Sequence, residues 1–274
     1  AAAARMALAN AGLDAGSLDV IIGASTTPQQ AIPCTAAFVQ RALCAPDGAS
    51  VCFDINATCL SFLVALQNAA HLVAAGAYRT ALVFSSELGS RFLNPRQPQS
   101  AILFGDAAAA AVIVRSDARD ASMIHQTRFA TYSSGADYTQ VVGGGTRHSP
   151  NDPTTTPDMN LFDMDGKAVF RQAVRLLPPF LDSFLQQCGW QRDRIDCLVP
   201  HQASRHGLDL LTDRLGFRSD QLFINLPQRG NCIAASIPLA LAEAVACGRI
   251  VRGNKLLLLG TGAGLTIGAV ALVY

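Results

Sequence analysis

Apolar positions fall into two alternating kinds of run. Asp19–Ser25, Ser50–Asn56, Arg79–Ser85 and Ile102–Arg115 hold short continuous apolar stretches bounded by Gly, Ser or Asp, the length and texture of strands buried on both faces. Between them, Ile32–Leu43 and Cys59–Gly76 carry apolar residues at helical spacing, and the chain opens with a helix-like segment ending at Gly12.

The later part repeats this order. Asp196 leads a strand into the loop Pro200-His-Gln-Ala-Ser204, and Ser204–Leu215 predicts a helix. Gln221–Leu226 predicts a short strand, Ile233–Cys247 an apolar helix, and Lys255–Leu259 and Leu265–Tyr274 two closing strands. Leu18-Asp-Val-Ile-Ile22 even resembles Ile195-Asp-Cys-Leu-Val199. Strand, helix, strand, buried helix, strand, strand occurs twice, and a period this long is a duplicated domain. The expected division is a first half over residues 1–140, a linker or lid over 141–162, and a second half over 163–274. Val141–Asp158 is rich in Gly, Pro, Thr and Asn, and the amphipathic helix from Phe162 to Gln187 is expected to kink or split at Pro178-Pro179. Alternating strands and helices give an α/β fold, with helices as apolar as 59–76 and 233–247 placed between two sheets.

Composition narrows the functional classes. Half of the 274 residues are apolar and 15% are charged, which excludes disorder. A formal net charge of +1 gives no electrostatic case for a nucleic-acid or anionic-membrane partner. Leu256–Tyr274 carries no Asp, Glu, Lys or Arg, but Gly260, Gly262 and Gly264 would break a spanning helix, so no membrane span is expected. The eight cysteines show no CxxC pair and no zinc spacing, so they are expected to be reduced thiols in a cytoplasmic protein, with no metal. No secretory signal opens the chain, and its start inside a helix, without Met, leads us to expect a preceding segment.

Three loop residues could carry chemistry. Cys59 closes Asp54-Ile-Asn-Ala-Thr-Cys59 just before an apolar helix, where unpaired N–H groups and the helix dipole favour a thiolate. Locally, a small buried hydrophobe fits as well. His201 follows the first strand of the second half, where a backbone-bonded histidine is an equal reading. Asn231 opens the second apolar helix, where a cap or turn residue is the simpler local reading. If the halves pack about a pseudo-twofold axis, the two helix N-termini converge and the three residues share a pocket, as nucleophilic catalysis requires.

These residues resemble the β-ketoacyl-acyl-carrier-protein synthase III family of thiolase-like condensing enzymes. The resemblance is carried by Asn56-Ala-Thr-Cys59-Leu-Ser-Phe, Leu103-Phe-Gly-Asp106, His201-Gln-Ala-Ser, Gly230-Asn231-Cys-Ile-Ala-Ala-Ser-Ile-Pro and Gly262-Ala-Gly-Leu-Thr-Ile-Gly268. It implies a five-layer αβαβα thiolase-like fold, a homodimer, and about fifty family residues preceding this chain. It further implies that Cys59 takes an acyl group from acyl-CoA. Malonyl-acyl carrier protein then loses carbon dioxide, and His201 and Asn231 stabilise the enolate. Backbone N–H groups of Cys59 and Ala263 are the implied oxyanion hole. Ile32, Phe170, Gly262 and Gly264 would line the substrate pocket, and Lys167, Arg205 and His206 would meet the carrier protein or CoA. No cofactor is implied beyond the CoA thioesters used as substrates.

The chain departs from the family in places. Ile32-Pro33 stands where short-chain members carry Phe-Pro, hinting at a wider or longer pocket. His206 stands at an expected docking Arg, and Pro98 replaces another, with Arg96 near. Asp106 and Glu87 are expected to be structural, Glu87 facing either the pocket or a dimer contact. The rivals are a same-family enzyme that joins long acyl chains or uses another acceptor, and a degenerate scaffold that only binds CoA. A Cys hydrolase would call for Gly-x-Cys-x-Gly, which Ala57-Thr-Cys59-Leu-Ser61 lacks. A dinucleotide site at Gly260-Thr-Gly-Ala-Gly264 fails on spacing.

Overall fold

Two four-stranded sheets carry the chain, in a computed structural model that describes residues 1–117 and 120–274. Helix α1 (Ala2–Ala11) ends where Gly12 turns left-handed at φ 65°. Strand β1 (Val20–Gly23), helix α2 (Thr35–Ala42), strand β2 (Val51–Asp54), helix α3 (Ser61–Ala74) and strand β3 (Thr80–Leu88) follow. The short α4 (Pro98–Ala101) leads to β4 (Asp106–Val114). The first sheet runs β2-β1-β3-β4, parallel except for β4.

Strand β5 (Met123–Thr131) already belongs to the second sheet. Strands β6 (Thr139–Gln140) and β7 (Asp163–Met164) pair with each other and close the neck of the intervening loop. Then come α5 (Gly166–Cys188), β8 (Cys197–Pro200), α6 (Arg205–Asp213), α7 (Leu226–Arg229), α8 (Ser236–Ala246), β9 (Lys255–Gly262) and β10 (Thr266–Val273). The second sheet runs β5-β10-β9-β8, with β8 and β9 parallel and β10 antiparallel to both neighbours.

Successive strand residues point to opposite faces, and this alternation builds the layers. Val20 and Ile22 of β1 face a central core with α3, α8, Cys197, Val199, Leu256 and Leu258. Ile21 between them faces α1 and α2 with Leu82 and Phe84. In the second sheet Leu198, Leu257 and Leu259 face α5 and α6. The order is helices, sheet, paired α3 and α8, sheet, helices: the expected five layers, with the two most apolar helices in the middle.

Several boundaries differ from the sequence reading. The first strand and the helix after it are shorter than expected; α2 starts at Thr35 because the Asp54 carboxylate accepts the N–H groups of Thr35 (2.6 Å) and Ala36 (3.0 Å). Helix α5 is continuous through Pro178 and Pro179 rather than split. Its buried stripe of Ala173, Leu177, Phe180, Leu181, Phe184 and Leu185 packs on the second sheet and holds it through the missing N–H donors. The segment expected as a strand at Gln221–Leu226 makes a single parallel bridge, Leu198 to Leu222, before α7 begins. Strand β5 has no counterpart in the sequence reading; His125, Gln126 and Arg128 interrupt its apolar texture. The sheets therefore change over between Val114 and Met123, ahead of the expected division at residue 140.

The central layer sets the stability. Phe62 of α3 is 1% exposed, so Phe62→Ala is expected to cost about 3–5 kcal/mol in urea unfolding. Met6→Ala on the exposed face of α1 is expected to shift stability by no more than about 0.5 kcal/mol. Equal effects would contradict the layer assignment.

Candidate active site

The chain leaves β2 through a tight turn that fixes Cys59. Asn56 Oδ1 accepts the Thr58 N–H (2.9 Å), and Ser61 Oγ accepts from the Ala57 N–H (3.0 Å) while donating to the Thr58 carbonyl (2.6 Å). Thr58 is held at φ 51°, a region a β-branched residue rarely occupies. Cys59 follows it, two positions before the first residue of α3.

The same device recurs before α8. Asn231 Oδ1 accepts the Ile233 N–H (3.0 Å), and Ile233 is again at φ 51°. Asn56 and Asn231, Thr58 and Ile233, Cys59 and Ala234, Ser61 and Ser236 thus stand at one constant spacing. Strands β3 and β9 keep it too. Asp19 N–H donates to the Thr80 carbonyl and Asp196 N–H to the Lys255 carbonyl, so Glu87 in β3 stands where Gly262 stands in β9. The duplication extends to individual backbone angles.

Both turns lie against strand ends. His201 follows β8, and its N–H donates to the Leu259 carbonyl (2.8 Å). A side chain at Gly260 would meet His201 Cβ at 2.8 Å and Leu60 Cδ2 at 2.9 Å, and one at Gly262 would meet Thr58 Oγ1 at 2.7 Å. The glycines of β9 therefore let His201 and the Cys59 turn close on the same strand end.

Asn231 is held by Leu103-Phe-Gly105. Its N–H donates to the Leu103 carbonyl (2.6 Å) and its carbonyl accepts from Gly105 N–H (3.0 Å). A Cβ at Gly105 would sit 1.9 Å from the Arg229 carbonyl oxygen. Asp106 serves as the anchor expected of it, accepting from the Ser90 N–H (2.9 Å) and hydroxyl (2.6 Å).

Glu87 links the two turns. It is 1% exposed, and its carboxylate accepts from the N–H groups of Thr26 (2.7 Å) and Thr27 (3.0 Å) and from the Thr27 hydroxyl (2.7 Å). It also lies near enough to the Ala234 N–H and the Cys59 thiol to interact electrostatically with both. Burial raises its carboxyl above the usual range, and these donors oppose the rise.

The thiol itself corrects the sequence expectation. Burial, reinforced by the Glu87 charge, pushes Cys59 up to about 12, outweighing any helix N-terminal effect. The backbone N–H groups of Cys59 and Ala263 act in the opposite direction, because both converge on the sulfur. Burial lowers His201 to about 4, so its imidazole is neutral at physiological pH. His201 Nδ1 has no hydrogen-bond partner among the described residues. A half-buried thiol with backbone N–H groups nearby, on the same strand end as a neutral imidazole, suits formation of a thioester and stabilisation of an oxyanion there.

The remaining sequence candidates are more scattered. Ile32 is 82% exposed, on the loop between β1 and α2. Phe170 and Lys167 are exposed in the first turns of α5, and Gly264 lies in the turn between β9 and β10 at φ 132°. Arg205 and His206 are exposed at the start of α6, where Arg205 pairs with Asp209 (2.7 Å). Arg96 is engaged with Asp158 (2.8 Å) beside a cavity of about 210 Å³ lined also by Asn94, Val142 and Asp163. The long loop is tied to the Asn231 cradle by the edge-on contact of Phe162 with Phe104, 4.9 Å between ring centres. Among the described residues no cluster of His, Cys, Asp and Glu could hold a metal ion, and no helix is long and apolar enough to cross a membrane.

Sheets covered by helices on their outer faces, with two duplicated apolar helices between them, define a thiolase-like α/β protein. The profile described as 3-Oxoacyl-[acyl-carrier-protein (ACP)] synthase III matches residues 53–133, and that of its C-terminal part matches residues 185–274. The chain is 38% identical over 270 residues to beta-ketoacyl-[acyl-carrier-protein] synthase III of Sphingopyxis alaskensis, covering 98% of this chain and 81% of that protein. The enzyme of the same name from Neisseria meningitidis is 36% identical, over 100% of this chain and 82% of its own. The solved 3-oxoacyl-(acyl carrier protein) synthase III of Pseudomonas aeruginosa superposes with a TM-score of 0.88 at 32% identity, covering 99% of this chain and 81% of that one. OleA of Xanthomonas campestris shares the fold, with a TM-score of 0.87 at 23% identity over 100% of this chain and 80% of its own. The chain belongs to the 3-oxoacyl-[acyl-carrier-protein] synthase III family.

Two outcomes follow from the site's geometry. Gly105→Ala should cost about 1–3 kcal/mol by driving a methyl into the Arg229 carbonyl, and an unchanged unfolding midpoint would contradict the cradle. Iodoacetamide labelling of Cys59, followed by peptide mass mapping, should keep rising with pH beyond 9 because a thiol at about 12 holds little thiolate below that. A plateau near neutral pH would show an activated resting thiolate instead.

Proposed function

We propose that this chain is a β-ketoacyl synthase III-type acyltransferase that condenses an acyl group from CoA with malonyl-acyl carrier protein through Cys59, His201 and Asn231. The packing of the Cys59 turn and His201 against the same end of β9, with Asn231 opening the matched turn before α8, carries the reading. In the first half-reaction the Cys59 sulfur bonds to the acyl carbonyl carbon, the bond to CoA sulfur breaks, and the thiol proton ends on released CoA. In the second, the malonyl carbon–carboxylate bond breaks to give carbon dioxide, and its electron pair forms an enolate. His201 and Asn231 side-chain N–H groups donate to that enolate oxygen, a role that suits an imidazole neutral above about 4. The enolate carbon then bonds to the acyl-Cys59 carbonyl, whose oxyanion is held by the two backbone N–H groups. Collapse breaks the carbon–sulfur bond, the electron pair returns to the Cys59 sulfur, which takes up a proton from solvent to restore the thiol, and the β-ketoacyl product is released.

On this reading Phe170, Gly262 and Gly264 border the acyl thioester, and Ile32 lines the pocket of a second subunit. Lys167, Arg205 and His206 flank the entrance on the first turns of α5 and α6, where a carrier protein or CoA would meet them. A homodimer is supported by β2, an edge strand whose Val51 is 49% exposed. The cysteines support a cytoplasmic setting: all eight are free, with no pair in CxxC spacing. A second reading is favoured by Ile32 at the exposed loop tip and by Arg205 already paired with Asp209: the same chemistry with longer acyl chains or another acceptor.

Intact-protein mass spectrometry after incubation with acyl-CoAs of graded length separates the two by primer preference. Cys59→Ala should show no acyl adduct. His201→Ala and Asn231→Ala should lose condensation by about 100-fold or more while still forming the adduct. Acylation of Cys59→Ala at wild-type stoichiometry would overturn the assignment.

A further inference from the structure

Gln202 follows His201 and is 0% exposed, yet no step of the condensation uses it. Its side-chain amide makes three hydrogen bonds, and all of them go to one segment. Nε2 donates to the Phe223 carbonyl (3.0 Å), while Oε1 accepts from the N–H groups of Asn225 (3.0 Å) and Leu226 (2.9 Å). The end of β8 is thereby clamped to the first turn of α7.

From that turn a continuous set of bonds reaches Asn231. The Asn225 carbonyl accepts from Gln228 and Arg229 N–H (3.0 Å each), and the Leu226 carbonyl from Gly230 N–H (2.8 Å). Asn225 Nδ2 donates to Glu243 Oε2 (2.8 Å) and Arg229 Nε to Glu243 Oε1 (2.7 Å), so both ends of α7 are pinned to α8. A four-residue helix has no stability of its own, so these side chains decide where it lies. Its last residue hands the chain through Gly230 to Asn231.

We propose that Gln202 is a positioning residue for the condensation step: its side-chain amide sets the placement of His201 relative to Asn231 by tying the strand end that carries one to the short helix that leads into the other. The proposal rests on the reading of His201 and Asn231 as the enolate donors. Removing the amide strands two N–H groups and a carbonyl in the interior, and residues 223–230 must shift to satisfy them. Two donors that must meet one oxygen are sensitive to such a shift, since a misplacement of roughly 1 Å can cost about 100-fold in rate. The Cys59 turn is held by its own bonds, through Asn56 and Ser61, and takes no support from this chain of contacts.

The test measures the half-reactions separately in Gln202→Ala, Asn225→Ala and Arg229→Ala. Single-turnover acylation by acyl-CoA is followed by intact mass, and condensation with malonyl-acyl carrier protein by product formation. Gln202→Ala should acylate within about threefold of the parent while its condensation kcat falls roughly 100-fold, with KM for the malonyl thioester little changed. Asn225→Ala and the more exposed Arg229→Ala should show the same split at about tenfold, and they decide the matter if Gln202→Ala does not fold. Acylation and condensation falling in parallel, or condensation unaffected in a folded Gln202→Ala, would overturn the proposal. His201→Ala and Asn231→Ala run alongside: if they spare condensation, the enolate reading falls and takes the proposal with it. If they abolish it while Gln202→Ala spares it, the proposal alone falls.

Discussion

Helices as apolar as α3 and α8 must bury most of their surface, and their packing together between two sheets is the constraint on which the architecture turns. Once they lie side by side, the strands on either side must be apolar on both faces, and the polar residues are displaced to the turns where the helices begin. Those turns land at the ends of β3 and β9. The chemistry therefore sits at the rim of the central layer, and the glycines of β9 decide how closely the turns approach it.

Burial also sets the electrostatics. A thiol and an imidazole at this rim both lose solvation, and each responds by favouring its neutral form. Glu87 is ionisable yet held by backbone and hydroxyl donors, so it keeps polar contacts where its neighbours keep few. The site is an environment of oriented N–H groups rather than of opposing charges. That suits a reaction whose negative charge appears on oxygen only transiently.

Much of this was legible in the sequence because burial on both faces leaves a strong mark. Val20–Ile22 and Leu256–Leu259 read as buried strands without ambiguity, and the matching of the two halves followed from their order. Edges were less legible. β5 carries His125, Gln126 and Arg128 on the rim of its sheet, so its texture is that of a loop. The prolines of α5 promised a break that tertiary packing overrode. The turn before α3 that carries Cys59 is visible in sequence as a helix N-terminus, but the burial and the Glu87 charge that raise its thiol are not, since Glu87 is distant in the chain. Gln202 looks in sequence like any polar loop residue, and only its three buried hydrogen bonds to residues 223–226 distinguish it.

The matched turns at Thr58 and Ile233 have a consequence for how the molecule came to be lopsided. A duplication that preserved a left-handed residue, an asparagine brace and a serine at the same spacing also preserved two equivalent positions, yet a sulfur occupies one and the methyl of Ala234 the other. The strands differ at the matching place. In β9 it is Gly262, where a Cβ would meet Thr58 Oγ1 at 2.7 Å, so the Cys59 turn rests directly on the strand backbone. In β3 it is Glu87, a buried carboxylate held by donors from Thr26 and Thr27. The same backbone device is thus seated on bare strand in one half and beside a buried acid in the other.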